Sequence, residues 1–306
     1  MEILFTGPLP EWAETELTGL GHQVTSVAAD AYVDEGAFKS AIPNYDVYVS
    51  GGLETCTADV IEAGEKLKAI IFLGVDPSNY IDCPKAAEKN IPVLKTPGAN
   101  ANAVAELTLW HMLSAASKTA RMQNDMAAKT WKNQTGYELR GKKLGLVGSG
   151  PIARTVAEIA KGFGMDVAYW TRSGPKESMA GQHHPLDAVI KESDIVSLHV
   201  PKDAGQIINT ETISSMKKGA TIINTAPASL VDCNALYQAL DDGQLSFAAF
   251  DCFYKEGDDC WNADEAKLLS LGPDLFQLTP HAGWRTKEAD DNMFTMAINH
   301  IKKLHN

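Results

Sequence analysis

Two glycines and a cation open the chemistry of this sequence. Gly148 and Gly150 frame the run Gly148-Ser149-Gly150-Pro151-Ile152-Ala153, and a turn of that kind between a strand and a helix holds the pyrophosphate of a dinucleotide. Gly148 permits the turn. Gly150 lets the amides at the helix start approach the phosphates, where the helix dipole favours negative charge. Ala153 stands where a third glycine often does and still allows helix and strand to pack closely. A glycine turn alone is weak evidence, so its flanks decide. Leu144 to Val147 precedes it as an apolar run, Val156, Ile159, Ala160 and Phe163 come after it at helical spacing, and Asp166 to Trp170 reads as a second strand. Together they make a βαβ unit.

The end of that second strand bears on which dinucleotide binds. A site for NAD(H) usually offers Asp or Glu to the ribose 2′-hydroxyl, whereas this chain offers Thr171-Arg172-Ser173. A guanidinium between two hydroxyls suits a 2′-phosphate. NADP(H) is therefore favoured and NAD(H) stays open, with Arg172 then only a solvated cation.

The surrounding elements must bring these groups together. Glu2–Thr6, Gln23–Val27, Tyr45–Ser50, Leu67–Leu73 and Ile91–Leu94 read as strands, with helices over Pro8–Leu20 and Thr57–Gly64, a small parallel α/β domain. Asn100 to about Lys129 is the longest helical pattern and leads into the second domain. Beyond the cofactor unit, strands are expected at Asp194–Val200, Thr221–Asn224, Leu245–Phe250 and Phe276–Leu278, with helices between them, and Lys287–Leu304 is a terminal helix that could return to the first domain. The expected fold class is α/β, two domains, with a doubly wound parallel sheet in the second. Ligands of such sheets bind beyond the strands' carboxyl ends. That places His199 and Pro201, Thr225 to Pro227, Asp251 and His281 near the nicotinamide.

Composition narrows the partners. With 306 residues, 44% apolar and 22% charged, the chain has room for two cores. A formal charge of −12 argues against nucleic acid or an anionic membrane as a general partner. No apolar run reaches spanning length and the start lacks the marks of a signal peptide, so the expected location is cytoplasmic. Five scattered cysteines without a CxxC spacing favour reduced thiols over disulfides or a metal site. His183-His184 reads as an exposed loop pair, His111 as a core or interdomain residue, and Asp241-Asp242 and Asp258-Asp259 as solvated charges.

Several blocks in order resemble the D-isomer-specific 2-hydroxyacid dehydrogenases over nearly the whole chain. They are Lys95-Thr96-Pro97-Gly98-Ala99-Asn100 with Val104-Ala105-Glu106, the glycine turn, Ser197-Leu198-His199-Val200-Pro201, Ile223-Asn224-Thr225-Ala226, Leu230-Val231-Asp232, Asp251-Cys252-Phe253 and Thr279-Pro280-His281. The resemblance implies a flavodoxin-like substrate domain (1–97 with 286–306), a Rossmann cofactor domain (98–285), a substrate cleft between them and a homodimer through the cofactor domain. It implies hydride transfer between the nicotinamide and a 2-keto or 2-hydroxy acid, with His281 as proton donor, Glu256 bonded to it, and Asp251 on the nicotinamide carboxamide. Val104 and Gly283 join the cofactor set, and Gly51 and Gly52 fall where backbone amides meet the substrate's carboxylate. Lys95 borders the same region.

One residue departs from the pattern. The family's arginine position is occupied by Pro227 in Asn224-Thr225-Ala226-Pro227-Ala228, and proline can neither fork onto a carboxylate nor polarise a carbonyl. Arg285, four residues past His281, is the candidate replacement, with Trp284 as an apolar wall; contact with cofactor phosphate or solvent is the alternative. The rival function is a cofactor-binding redox sensor with weak or no turnover.

Overall fold

Residues 1–27, 34–51 and 54–305 are described by the structure, a computed structural model. The chain divides into two compact units, Met1–Asn100 with Thr286–Asn306, and Ala101–Arg285. The family resemblance sets the first boundary three residues earlier, after residue 97.

In the first unit, strands β1 (Glu2–Thr6), β2 (Gln23–Val27), β3 (Val47–Ser50), β4 (Ala69–Phe72) and β5 (Val93–Lys95) form a parallel sheet in the order β2-β1-β3-β4-β5. Helices α1 (Glu11–Gly19), α2 (Glu35–Ala41), α3 (Ala58–Ala63) and α4 (Cys83–Glu88) connect them. Successive side chains of a strand face opposite ways, so both sheet faces need cover. Leu4, Tyr48 and Ile70 pack with Phe38, Val60, Ile61 and Ala86 on one face. Ile3, Phe5, Val47, Val49 and Ile71 pack on the other with Ala13 and Leu17 of α1 and with Phe294, Ala297, Ile298 and Ile301 of the terminal helix.

The second unit opens with α5 (Ala101–Ser117) and α6 (Thr119–Ala127). The single long helix expected from the sequence is thus two. Lys118 adopts φ +59°, ψ +31°, a left-handed conformation that ends a helix, while Ser117 Oγ bonds back to the Leu113 carbonyl at 2.6 Å. Strands β6 (Lys143–Val147), β7 (Asp166–Trp170), β8 (Gln182–His183), β9 (Ile195–Leu198), β10 (Ala220–Asn224), β11 (Leu245–Phe250) and β12 (Phe276–Leu278) make one parallel sheet, ordered β12-β11-β10-β9-β6-β7-β8. The order reverses between β6 and β9, as in a doubly wound nucleotide-binding fold. Helix α7 (Pro151–Gly162) covers one face with α5; α8 (Leu186–Glu192), α9 (Thr210–Ser215) and α10 (Cys233–Asp241) cover the other, and α11 (Lys267–Ser270) precedes β12. Strand β8 overturns one expectation: His183 lies on the sheet edge beside Tyr169, ring centroids 5.3 Å apart, rather than in an exposed loop. The terminal helix is α12 (Lys287–His305). Among the described residues no helix is long and apolar enough to cross a membrane, and all five cysteines are free.

Candidate active site

The glycine turn joins β6 to α7 at the switch point. Gly148 has φ +122°, and a Cβ there would lie 2.2 Å from the His199 carbonyl oxygen, so backbone from the neighbouring strand excludes every side chain. Gly150 differs: it is the N-cap of α7, makes no side-chain cap, and a Cβ on it would meet nothing within 4 Å. Pro151 comes next in the first turn, where a missing N–H costs nothing. A helix start without a side-chain cap, beside open space, is what a pyrophosphate needs, so the residues present fit a dinucleotide. Ser149 and Ile152 are partly accessible, and Ala153 is fully buried against the sheet. Thr171, Arg172 and Ser173 lie just past β7 with the Arg172 side chain exposed, and no carboxylate stands between residues 170 and 173.

Strand ends β9 to β12 bring further groups to the same edge. His199 lies directly after β9; its Nε2 is 2.9 Å from Ser197 Oγ. The ring is sunk deep enough that desolvation draws its pKa down to about 3, so it is neutral. Pro201 is exposed two residues on. After β10, Asn224 is fully buried and builds the next turn, accepting from the Ala226 amide at 3.1 Å and donating to the Pro227 carbonyl at 3.3 Å. Thr225 Oγ1 lies 3.1 Å from Thr108 Oγ1 of α5, and Pro227 heads the short 3-10 turn Ala228–Leu230. Val104, on α5, is buried.

Asp251, at the end of β11, organises the turn beyond β12. It is 3% exposed, and its carboxylate accepts from Thr279 Oγ1 at 2.6 Å, the Ala282 amide at 2.8 Å and the Gly283 amide at 2.9 Å. The motif assigns Asp251 to the nicotinamide; in the structure both oxygens are engaged in fixing the turn that carries His281. Gly283 has a packing reason of its own, since a Cβ would lie 2.8 Å from Asp251 Oδ2. The same turn holds His281 at φ +50°, a left-handed backbone rare outside glycine, through its amide on the Asp251 carbonyl at 2.7 Å.

So aimed, His281 meets Glu256. Its Nδ1 lies 3.1 Å from Glu256 Oε2, with the two side chains 40% and 41% exposed. Hydrogen bonding to the Cys252 sulfur and to the Glu256 carboxylate raises the histidine above its ordinary value against the opposing effect of burial. Burial alone would raise Glu256, but the hydrogen bond and charge of His281 outweigh it and the carboxyl is lowered. The pair is therefore imidazolium and carboxylate at neutral pH. It can hold a proton beside solvent-accessible space and release it.

The chain matches a family model described as the NAD binding domain of D-isomer specific 2-hydroxyacid dehydrogenase over residues 109–283. It is 39% identical to the hydroxypyruvate reductase of Thermotoga maritima, over 84% of each chain. The chain belongs to the D-isomer-specific 2-hydroxyacid dehydrogenase family. It is an oxidoreductase that works on CH–OH donors with a nicotinamide cofactor. The D-3-phosphoglycerate dehydrogenase of Methanocaldococcus jannaschii is 37% identical over 99% of this chain and 57% of its own longer one. Among solved structures, the TT0316 protein of Thermus thermophilus superposes with a TM-score of 0.86 at 30% identity, covering 97% of this chain and 94% of that one.

The residues expected to bind substrate have separate surroundings. Gly51 lies directly after β3, and a Cβ on it would be 1.2 Å from the Thr6 carbonyl oxygen. Its amide donates to Thr6 Oγ1 at 2.8 Å. Gly52 lies outside the described residues. Lys95 closes β5 with an exposed side chain, its carbonyl 2.9 Å from His300 Nε2. Arg285 is exposed and stacks over Trp284, 4.7 Å from the ring centroid. Two groups escaped sequence reasoning. Cys252, read in the sequence only as the middle of Asp251-Cys252-Phe253, sits beside His281 in the fold, and Glu54, which belongs to no motif, gathers three hydroxyls under the β3 end.

Proposed function

We propose that this enzyme transfers hydride between NADP(H) and a 2-keto or 2-hydroxy acid, with His281 carrying the proton and Glu256 orienting it. The observation that carries this reading is the His281–Glu256 pair at 3.1 Å on a turn locked by Asp251. When bound, the nicotinamide supplies or accepts the hydride. In reduction, the protonated imidazole of His281 gives its Nε2 proton to the substrate oxygen as negative charge develops there. Glu256 keeps Nδ1–H engaged, which fixes the ring and stabilises the imidazolium before transfer. In oxidation, neutral His281 takes the hydroxyl proton back.

The pyrophosphate is assigned to Gly148, Ser149, Gly150, Pro151 and Ile152, and the 2′-phosphate to Thr171, Arg172 and Ser173. Exposure of Arg172 and the lack of a carboxylate at the strand end support the preference for NADP(H). His199, Pro201, Thr225, Ala226 and Pro227 are assigned to the walls of the nicotinamide site. Pro227 removes the usual carboxylate clamp, and Arg285, braced on Trp284, is the cation we assign in its place. The same reading makes the protein a homodimer through its second unit, where Trp110 and Leu113 of α5 and Met126 of α6 are 45%, 40% and 50% exposed.

The test is consumption of NADPH and of NADH with glyoxylate, hydroxypyruvate, pyruvate, phenylpyruvate and branched 2-keto acids, beside a His281→Ala control. Turnover with at least one acid that the control abolishes is the expected result. Tight cofactor binding without turnover on any of them would replace this reading by that of a redox sensor.

A further inference from the structure

The scattered cysteines give no metal signature in the sequence, yet the fold assembles one. Cys252 comes after β11, Glu256 lies four residues on in the same loop, and His281 reaches them from the turn after β12. One ligand atom from each, a thiol sulfur, a carboxylate oxygen and an imidazole nitrogen, lies within 4.8 Å of the other two. The imidazole–carboxylate distance is 3.1 Å. Zinc bound tetrahedrally through sulfur, nitrogen and oxygen sets its ligand atoms about 3.3 to 3.6 Å apart, so small side-chain movements close the set.

The surroundings suit such an ion. His281 cannot swing away freely, because its backbone is pinned through Asp251. Glu256 and His281 are each about two-fifths exposed on their side chains, which leaves a path for the ion and room for water as fourth ligand. A soft sulfur beside a nitrogen selects Zn²⁺ over Mg²⁺ or Ca²⁺, which take oxygen ligands.

We propose that Cys252, Glu256 and His281 form a binding site for a thiophilic divalent cation, Zn²⁺ in particular, whose occupancy switches the enzyme off. Binding releases the thiol proton of Cys252 and the imidazolium proton of His281 to solvent, and three metal–ligand bonds form in their place. A metal-bound imidazole has no imidazolium proton to give, and Glu256 no longer orients the ring. The inhibitory consequence rests on the reading of His281 as the acid; the binding site does not.

Two readouts separate these claims. Co²⁺ added to the cofactor-free protein reports thiolate ligation directly through its sulfur-to-metal charge-transfer absorption. The wild type shows that band and Cys252→Ser lacks it. With cofactor and substrate, Zn²⁺ lowers wild-type turnover about 100-fold, the scale of a lost general acid, a chelator restores it, and Cys252→Ser, whatever its own metal-free rate, keeps that rate when the metal is added. No charge-transfer band in the wild type overturns the site, as does equal Zn²⁺ inhibition of the Cys252→Ser variant. A Cys252-dependent band with undiminished turnover keeps the site and overturns the role of His281.

Discussion

Two glutamates lie beyond the ends of parallel strands in this chain and are put to opposite use. Glu54, after β3, is 1% exposed; its Oε1 accepts from Thr6 Oγ1, Tyr48 OH and Ser50 Oγ, and Oε2 is buried with no hydrogen-bond partner among the described residues. Burial, and then the charge of Glu54, raise Tyr48 well above its ordinary pKa, so the phenol stays a donor. Glu256, after β11, is partly open to solvent and is ion-paired with His281. Surrounded by fixed hydroxyls, a carboxylate ties loop to strand. Beside an accessible imidazole, the same group forms an ion pair within reach of solvent.

That contrast can be broken at either end. Glu54→Ala takes their acceptor from the buried hydroxyls of Tyr48 and Ser50 while Thr6 keeps the Val49 carbonyl, and a loss of about 3 kcal/mol in unfolding free energy is expected, read by denaturant titration. Glu256→Ala at a half-exposed site should change stability far less; an equal loss would erase the distinction. Glu256→Gln should instead move chemistry. His281 loses an anionic partner that raises its pKa, so the alkaline fall of kcat/KM for reduction shifts to lower pH. At neutral pH reduction drops about tenfold, while the Tm barely changes.

Smaller effects sharpen the cofactor and substrate halves. On the proposed NADP(H) reading, Arg172→Ala removes one charge-assisted contact worth about 1.5 kcal/mol, so the KM for NADPH rises roughly tenfold and that for NADH stays put. Equal rises would return the site to NAD(H). Arg285→Ala raises the KM for the best 2-keto acid about tenfold, and unchanged kinetics would remove Arg285 from the substrate.

Much of the architecture was legible because parallel strands buried on both faces read as apolar runs. β1, β7, β11 and β12 fall at their expected residues. Less visible were short helices without a long apolar stripe. α2 and α4 are set by caps, Asp34 accepting from the Ala37 amide at 3.0 Å and Asp82 from the Lys85 amide at 2.9 Å. The break at Lys118 was hidden because lysine is itself a good helix former, and a single left-handed residue leaves no periodicity. At the site, motif spacing located the glycine turn and the strand ends. It said nothing of which bonds are already spent. Only the fold shows that the Gly51 amide belongs to Thr6, that both Asp251 oxygens hold the turn, and that Cys252 lies against His281.

The most direct test of the central claim is the rate of a single-turnover reduction across pH, with NADPH prebound, for the wild type and for His281→Gln. The account predicts a wild-type rate that holds through neutral pH and falls only in the alkaline range, because the histidine's raised pKa keeps it protonated until then. The variant should bind NADPH equally well, reduce about 100-fold more slowly, and lack that alkaline limb. A variant with the wild-type rate, or one that keeps the same pH dependence, would contradict the assignment of His281 as the proton donor.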